Sequence, residues 1–230
     1  MTDFCNNSVY FGVAISLVGY VIGVQLKKKF KLAVLNPLMI SIIFVVGVVL
    51  LFKLDYHSYK KQAEILNYLL TPATIALAIP LYQQLSLLRK NLLAVICGII
   101  SGVFASMSSV LAMSVLFSLS HEDFVTLLPK SITTAIGMGV SEELGGIQTI
   151  TVAVIIVTGV LGNVIGEGVC KLFRITEPIS RGLALGTAAH AIGTAKALEM
   201  GEIEGAMSSL SIAVAGLLTV VFASFYAMVY

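Results

Sequence analysis

The sequence predicts an all-α, polytopic membrane protein, and two observations carry that prediction: long apolar runs recur along the chain, and charge is scarce. Of 230 residues, 58% are hydrophobic and 11% charged, and the mean hydropathy is +1.00. An ordinary soluble domain carries about 25% charged residues, whereas about 20 apolar residues in a row suffice to span a bilayer. Barrel strands would show alternating segments of about ten residues, and none are present. A net charge of +2 offers no basic surface to nucleic acid. Cys5, Cys97 and Cys170 give no paired framework; the latter two fall in or at the end of apolar runs, as small apolar filler does.

The candidate membrane segments are 9–26, 36–54, 67–84, 91–119, 129–145, 147–170, 182–200 and 206–229, or seven to eight in all. The first run follows MTDFCNNS, without Lys or Arg, and precedes KKKFK at 27–31. That polarity is wrong for a cleaved signal peptide; it predicts a first transmembrane helix with its N-terminus outside. Tyr10, Tyr56, Tyr59, Tyr68, Tyr82, Tyr226 and Tyr230 fall near span ends, where interfacial anchors sit.

Three segments differ from the rest. Segment 67–84 contains Pro72 and Pro80, each of which breaks the helical ladder; Thr71 and Thr74 are placed to satisfy the freed backbone groups. Segment 129–145 carries Pro129, Lys130, Ser131, Thr133 and Thr134, and ends in Gly145 and Gly146. Segment 182–200 carries His190, Thr194, Lys196 and Glu199 among small residues that include Gly193. An internal repeat connects two of these regions: 74–85 aligns without gaps on 133–144, and 96–106 aligns on 157–167 after a two-residue shift. The reading is one integral membrane domain over 1–230: a two-helix region 1–66, repeat units 67–119 and 127–172, and a polar helix plus last span over 178–230. If 129–145 is re-entrant, the two units are inverted and Lys171, Arg174 and Arg181 fall on the cytoplasmic side, as the positive-inside rule asks. Lys53, Lys60 and Lys61 then lie outside, against that rule.

Lys130 is the most informative residue. A cation deep in a bilayer costs about 2.5–3.5 kcal/mol on insertion scales, so it faces a cavity or a partner. Pro129 suits a first helical turn, and a half-helix starting there aims its N–H groups and positive dipole end into the membrane. Lys130, Ser131, Thr133 and Thr134 would add donors for a carboxylate or phosphate; the competing reading has Lys130 snorkelling to the interface. His190 and Thr194, four apart, share one helical face, and His190 suits substrate binding or proton uptake. Glu199, Glu202 and Glu204 with Lys196 read as a solvated helix end. Asn163 is a cavity residue, and Glu167, one turn on, reaches the interface. No Walker A, GxSxG, HExxH or Cys–His metal spacing occurs, so the chain reads as neither an enzyme nor a cofactor protein.

The stretches LLTPATIALAIPLY (69–82), LPKSITTAIG (128–137), VTGVLGNVIGE (157–167) and RGLALGTAAHAIGTAKALEMGEIEGAMSSL (181–210) resemble the LrgB/CidB family, the larger membrane partners in LrgA/LrgB and CidA/CidB systems. The resemblance covers essentially the whole chain; where the family pattern PKSVTTP ends in proline, this sequence has Ala135. It implies a bacterial cytoplasmic-membrane protein, antiholin-like and controlling murein hydrolase activity and autolysis, with an LrgA/CidA-like partner. Related members move small carboxylates, and a plastid relative carries glycolate and glycerate. The leading expectation is therefore a secondary transporter of small monocarboxylates, with an antiholin-like regulator as the alternative. The anion is expected near Lys130, Ser131, Thr133, Thr134, Thr74 and Asn163, with His190 and Thr194 opposite and a proton coupled through His190. Pro72, Pro80, Pro129, Gly145, Gly146 and Gly193 are the expected helix-breaking positions. The chain is also expected to form homo-oligomers.

Overall fold

The computed structural model describes residues 8, 10–30, 35 and 37–230, the side chains of Asn67, Leu70, Thr71 and Thr74 excepted. The described residues form helices joined by short turns, in two compact units, Met1–Ala76 and Leu77–Tyr230.

In the first unit, α1 (Phe11–Phe30) and α2 (Pro37–Leu51) run antiparallel. Gly23 lies against Pro37, and Gly19 against Ser41 and Phe44. The next helix, α3 (Tyr56–Gln62), is capped by Asp55, whose carboxylate accepts from Ser58 N–H at 2.9 Å. It docks on the start of α1 through Gln62 Oε1, which accepts from Gly12 N–H at 3.0 Å. Two short helices, α4 (Glu64–Tyr68) and α5 (Leu70–Ala76), complete the unit.

The second unit begins with short helices α6 (Ala78–Gln83) and α7 (Leu85–Lys90). The run α8 (Leu92–Phe117) buries Val95, Ile99, Val103, Met107 and Val110, the spacing that places apolar side chains on one helical face. It ends at Ser118, in the left-handed region at φ 51°, and a Ser120–Asp123 capping box starts α9 (His121–Leu127). Helices α10 (Thr134–Glu143), α11 (Gln148–Leu172), α12 (Pro178–Met200) and α13 (Glu202–Val229) follow. A buried hydroxyl cluster fastens α9, α10 and α11. Thr151 Oγ1 lies 2.9 Å from the Thr126 carbonyl and 2.7 Å from Ser141 Oγ. Thr126 Oγ1 in turn accepts from Ile147 N–H at 2.8 Å.

The α12 segment is a helical hairpin. Its backbone leaves helical geometry at Ala189 (φ −130°, ψ 17°) and His190 (φ 41°, ψ −137°). The arms on either side of this tip meet the same stretch of α13. Gly186 on the first arm and Thr194 on the second both touch Ser208, and Gly182 and Leu198 both reach the Glu204–Gly205 turn. Gly193 packs on the carbonyl oxygen of Leu185, which a continuous helix would hold far from it. Three glycines of α11 seat the hairpin: Gly166 against Leu185, Gly162 against Ala189, and Gly159 against His190 and Ile192.

Among the described residues four helices are long and apolar enough to cross a membrane: α1, α8, α11 and α13. That is fewer than the seven or eight segments expected from hydropathy, for identifiable reasons. At 15 residues, α2 reaches about 22 Å at 1.5 Å per residue, short of a hydrocarbon core of about 30 Å. Segment 67–84 is broken at Leu69, Leu77 and Gln84. Segment 129–145 yields only the ten residues of α10, and 182–200 doubles back within α12. The chain is thus an all-α, multi-pass membrane protein with fewer full-length spans than its apolar runs suggest.

Candidate anion site

The half-helix expected from Pro129 starts five residues later, at Thr134, with Thr133 as its N-cap residue. Without an N–H, Pro129 cannot extend the ladder of α9. The chain tightens into a turn in which Lys130 N–H donates to the Leu127 carbonyl at 3.1 Å. This turn, not a helix end, presents Lys130. Its Nζ donates to Ser131 Oγ at 3.0 Å and to Ser106 Oγ of α8 at 3.3 Å, and the two hydroxyls are 3.0 Å apart. Among the described residues no carboxylate pairs with Lys130.

Lys130 and Ser131 line a cavity of about 660 Å³ between α8, this turn and the first arm of the hairpin. Its remaining walls combine Ala, Gly and Leu183 with the further hydroxyls of Ser101, Ser106, Ser109, Ser180 and Thr187. One cation, several donors and no acid make a site suited to a small anion.

The other expected residues lie elsewhere. Thr133 and Thr134 are half-buried at the start of α10 and do not line this cavity. The Thr74 and Thr71 side chains lie outside the described residues. His190 is itself at the hairpin tip, where Thr194 Oγ1 donates to its carbonyl at 3.0 Å, but the two side chains face different helices. The His190 ring turns to α11, with Nε2 3.0 Å from the Ile155 carbonyl, while Thr194 Oγ1 lies 2.7 Å from Ser208 Oγ of α13. Asn163 Nδ2 donates to the Ile192 carbonyl at 2.6 Å, holding the second arm. Pro72 and Pro80 fall within α5 and α6. Gly145, at φ 82°, and Gly146 end α10. The solvated end expected around Lys196 is partly buried: Lys196 pairs with Glu167 of α11 at 2.8 Å, and Glu204 is buried. Glu167, expected at the interface, bridges Lys196 and Lys171.

The LrgB-like family matches residues 16–229. The chain belongs to the LrgB-like family. It is 37% identical over 93% of its length to the antiholin-like protein LrgB of Bacillus subtilis (strain 168), and covers 93% of that protein. It is 37% identical over 92% of its length to the antiholin-like protein LrgB of Bacillus cereus (strain B4264), again covering 93% of the relative. No solved structure matches it. Among the described residues no three His, Cys, Asp or Glu side chains gather as a metal site.

Sequence reasoning found Lys130 and Ser131 but missed their partners on α8. The available signal was the recurrence of small residues at 94, 98, 102, 105–106 and 109, a helical spacing that marks a face open to close approach or to a cavity.

Proposed function

We propose that this LrgB-like chain acts as an antiholin-like membrane protein that restrains autolysis. The observation that carries this reading is the extent of its likeness to the Bacillus subtilis antiholin-like protein, 37% identity along 93% of both chains. The test is complementation of a bacterium lacking its own LrgB-like protein, with detergent-induced lysis followed by turbidity. Slower lysis is expected; unchanged lysis with the protein present in the membrane refutes the reading.

One observation favours a second reading: Lys130, without an acidic partner among the described residues, faces a cavity large enough for a small organic anion. On this reading the chain is a secondary transporter of small monocarboxylates such as pyruvate, glycolate or glycerate. Lys130, Ser131 and Ser106 hold the carboxylate. His190 stands at the hairpin tip as the candidate for proton coupling. Restraint of lysis would then follow from carboxylate flux. Uptake of labelled pyruvate into proteoliposomes tests it. A hydrogen bond to a charged group contributes about 1.5–3 kcal/mol, so Lys130→Ala should raise KM about tenfold or more. Unchanged affinity and rate in that variant refute the site.

The membrane orientation belongs to the same proposal. Gly98 and Gly102 of α8 lie against Leu183 and Thr187 in the same order, so α8 and the first hairpin arm run parallel. Arg89, Lys90, Arg174 and Arg181 therefore share one end of the second unit, and Glu122 and Asp123 lie toward the other. The positive-inside rule assigns the cationic end of the second unit to the cytoplasm; separately, the lysines at 27–29 that end α1 argue for an N-terminus outside. The inverted relation of 67–119 to 127–172, an LrgA-like partner and self-association complete the proposal.

A further inference from the structure

The hydroxyls that line the cavity beside Lys130 are not equally free. Ser101 Oγ donates to the Gly98 carbonyl at 2.9 Å, Ser109 Oγ to the Ser106 carbonyl at 2.6 Å, and Thr187 Oγ1 to the Leu183 carbonyl at 2.6 Å. Each spends its proton on its own helix. Free donors remain beside Lys130. An ammonium has three N–H bonds, and Lys130 directs two of them to Ser131 and Ser106. Of these two hydroxyls, 3.0 Å apart, one donates to the other, which keeps its own proton free. One N–H and one O–H are left over, a pair of donors that a single carboxylate can take.

Away from Lys130 the cavity is a groove, open along one side, whose walls include Ala94, Gly98, Leu183, Ala184 and Ala188. Gly98 lies against Leu183 and Gly102 against Thr187, which sets Ser180, an exposed residue, near Ala94 at the far end. From Ser106 back to Ala94, α8 advances about 18 Å at 1.5 Å per residue. At about 30 Å³ per water, the space of about 660 Å³ has room for roughly 22 waters, far more than a three-carbon acid fills. Among the described residues its lining holds no second cation and no carboxylate. A ligand that extends beyond Lys130 therefore gains there mainly through apolar contact.

We propose that this groove takes a monocarboxylate with an unbranched alkyl chain of medium length. Its carboxylate sits on Lys130, Ser131 and Ser106, and its chain lies along α8 toward Ala94. The inference rests on the anion site of the transport reading and names a different ligand class for it, an amphiphile in place of pyruvate, glycolate or glycerate. Charge selects the head and the small-residue walls accept the tail. Each CH2 moved out of water strengthens binding by up to about fourfold, and about twofold where half of it stays uncovered by the open side.

Equilibrium dialysis tests the ligand class. Labelled octanoate is bound to the full-length protein in nanodiscs, with empty nanodiscs subtracted, and competed with butyrate, hexanoate, pyruvate and glycolate at known free aqueous concentrations. Affinity should rise about twofold to fourfold per CH2 from butyrate to octanoate, and pyruvate should compete weakly. Lys130→Ala should weaken every acid alike, about tenfold or more. Ala184→Phe places a ring in the groove from an exposed position; it should leave butyrate unaffected and abolish the gain with chain length. Ala94→Phe serves the same purpose should Ala184→Phe not fold. If pyruvate or glycolate binds through Lys130 at least as tightly as octanoate, the inference is overturned and the small-carboxylate reading stands. It is also overturned if the gain with length survives both phenylalanine variants, since the chain then lies in the surrounding lipid. No saturable binding at any length removes both and leaves the groove to lipid chains or another helix. Octanoate that binds as expected but is not taken up into proteoliposomes, with pyruvate not taken up either, sinks transport alone.

Discussion

The tip of the α12 hairpin can be tested by replacing His190 with Gly and, separately, with Ala. His190 holds φ 41° and ψ −137°, a region populated essentially by glycine, and such residues store about 1–3 kcal/mol of strain. Both substitutions remove the imidazole and its contact with the Ile155 carbonyl, so the difference between them isolates the backbone. Glycine loses about 0.4–1 kcal/mol more than alanine through the entropy of the unfolded chain. Subtracting that from the relieved strain leaves His190→Gly more stable than His190→Ala by about 0–2.6 kcal/mol. In an uninterrupted helix the order reverses, with glycine worse by about 0.8–1.0 kcal/mol. The two architectures thus predict opposite signs. Thermal unfolding in detergent reads the difference, at about 2–4 °C per kcal/mol for a chain of this size. A lower midpoint for His190→Gly than for His190→Ala would refute the reversal at this residue.

Two further substitutions probe the packing around the site. Thr151→Val removes the hydroxyl that joins Thr126 and Ser141 and should cost about 1–3 kcal/mol; a midpoint equal to that of the parent would show that the cluster does not fasten α9 to α11. Gly186→Leu drives a side chain into the Ser208 backbone. Overpacking of this kind costs about 1–3 kcal/mol or more and should also lift the first arm from α13, seen as faster proteolysis at the 174–177 turn; unaltered cleavage would contradict the close approach.

Apolar runs made the helical class legible, and prolines and small residues marked the three unusual segments. The manner of interruption was not legible. A reversal at φ 41° is ordinarily signalled by glycine, and here a histidine occupies it, held by Ile155 and by the space above Gly159. Pro129 signalled a helix start, yet it sits where its missing N–H ends the preceding helix. Lys130 was visible as a charge out of place, whereas Ser106 and Ser109 belong to a helix whose hydropathy is ordinary. Which serines face a cavity depends on the rotation of α8 against α12, and that rotation is set by contacts across nearly a hundred residues of sequence.

The glycine face of α11 has a mechanical consequence. Gly166, Gly162 and Gly159 each receive a different part of the hairpin, from the first arm through the tip to the start of the second. Sliding the hairpin by one turn along α11 would thrust Leu185, Ala189 or His190 against positions that carry side chains. The two elements therefore move as one solid piece or separate outright. Any graded working motion of the second unit has to be sought at another joint. The seam between α8 and the first arm is a candidate for that joint: it closes at Gly98 and Gly102, which border the cavity beside it. Widening it by a small tilt would enlarge the cavity beside Lys130 and leave the hairpin intact.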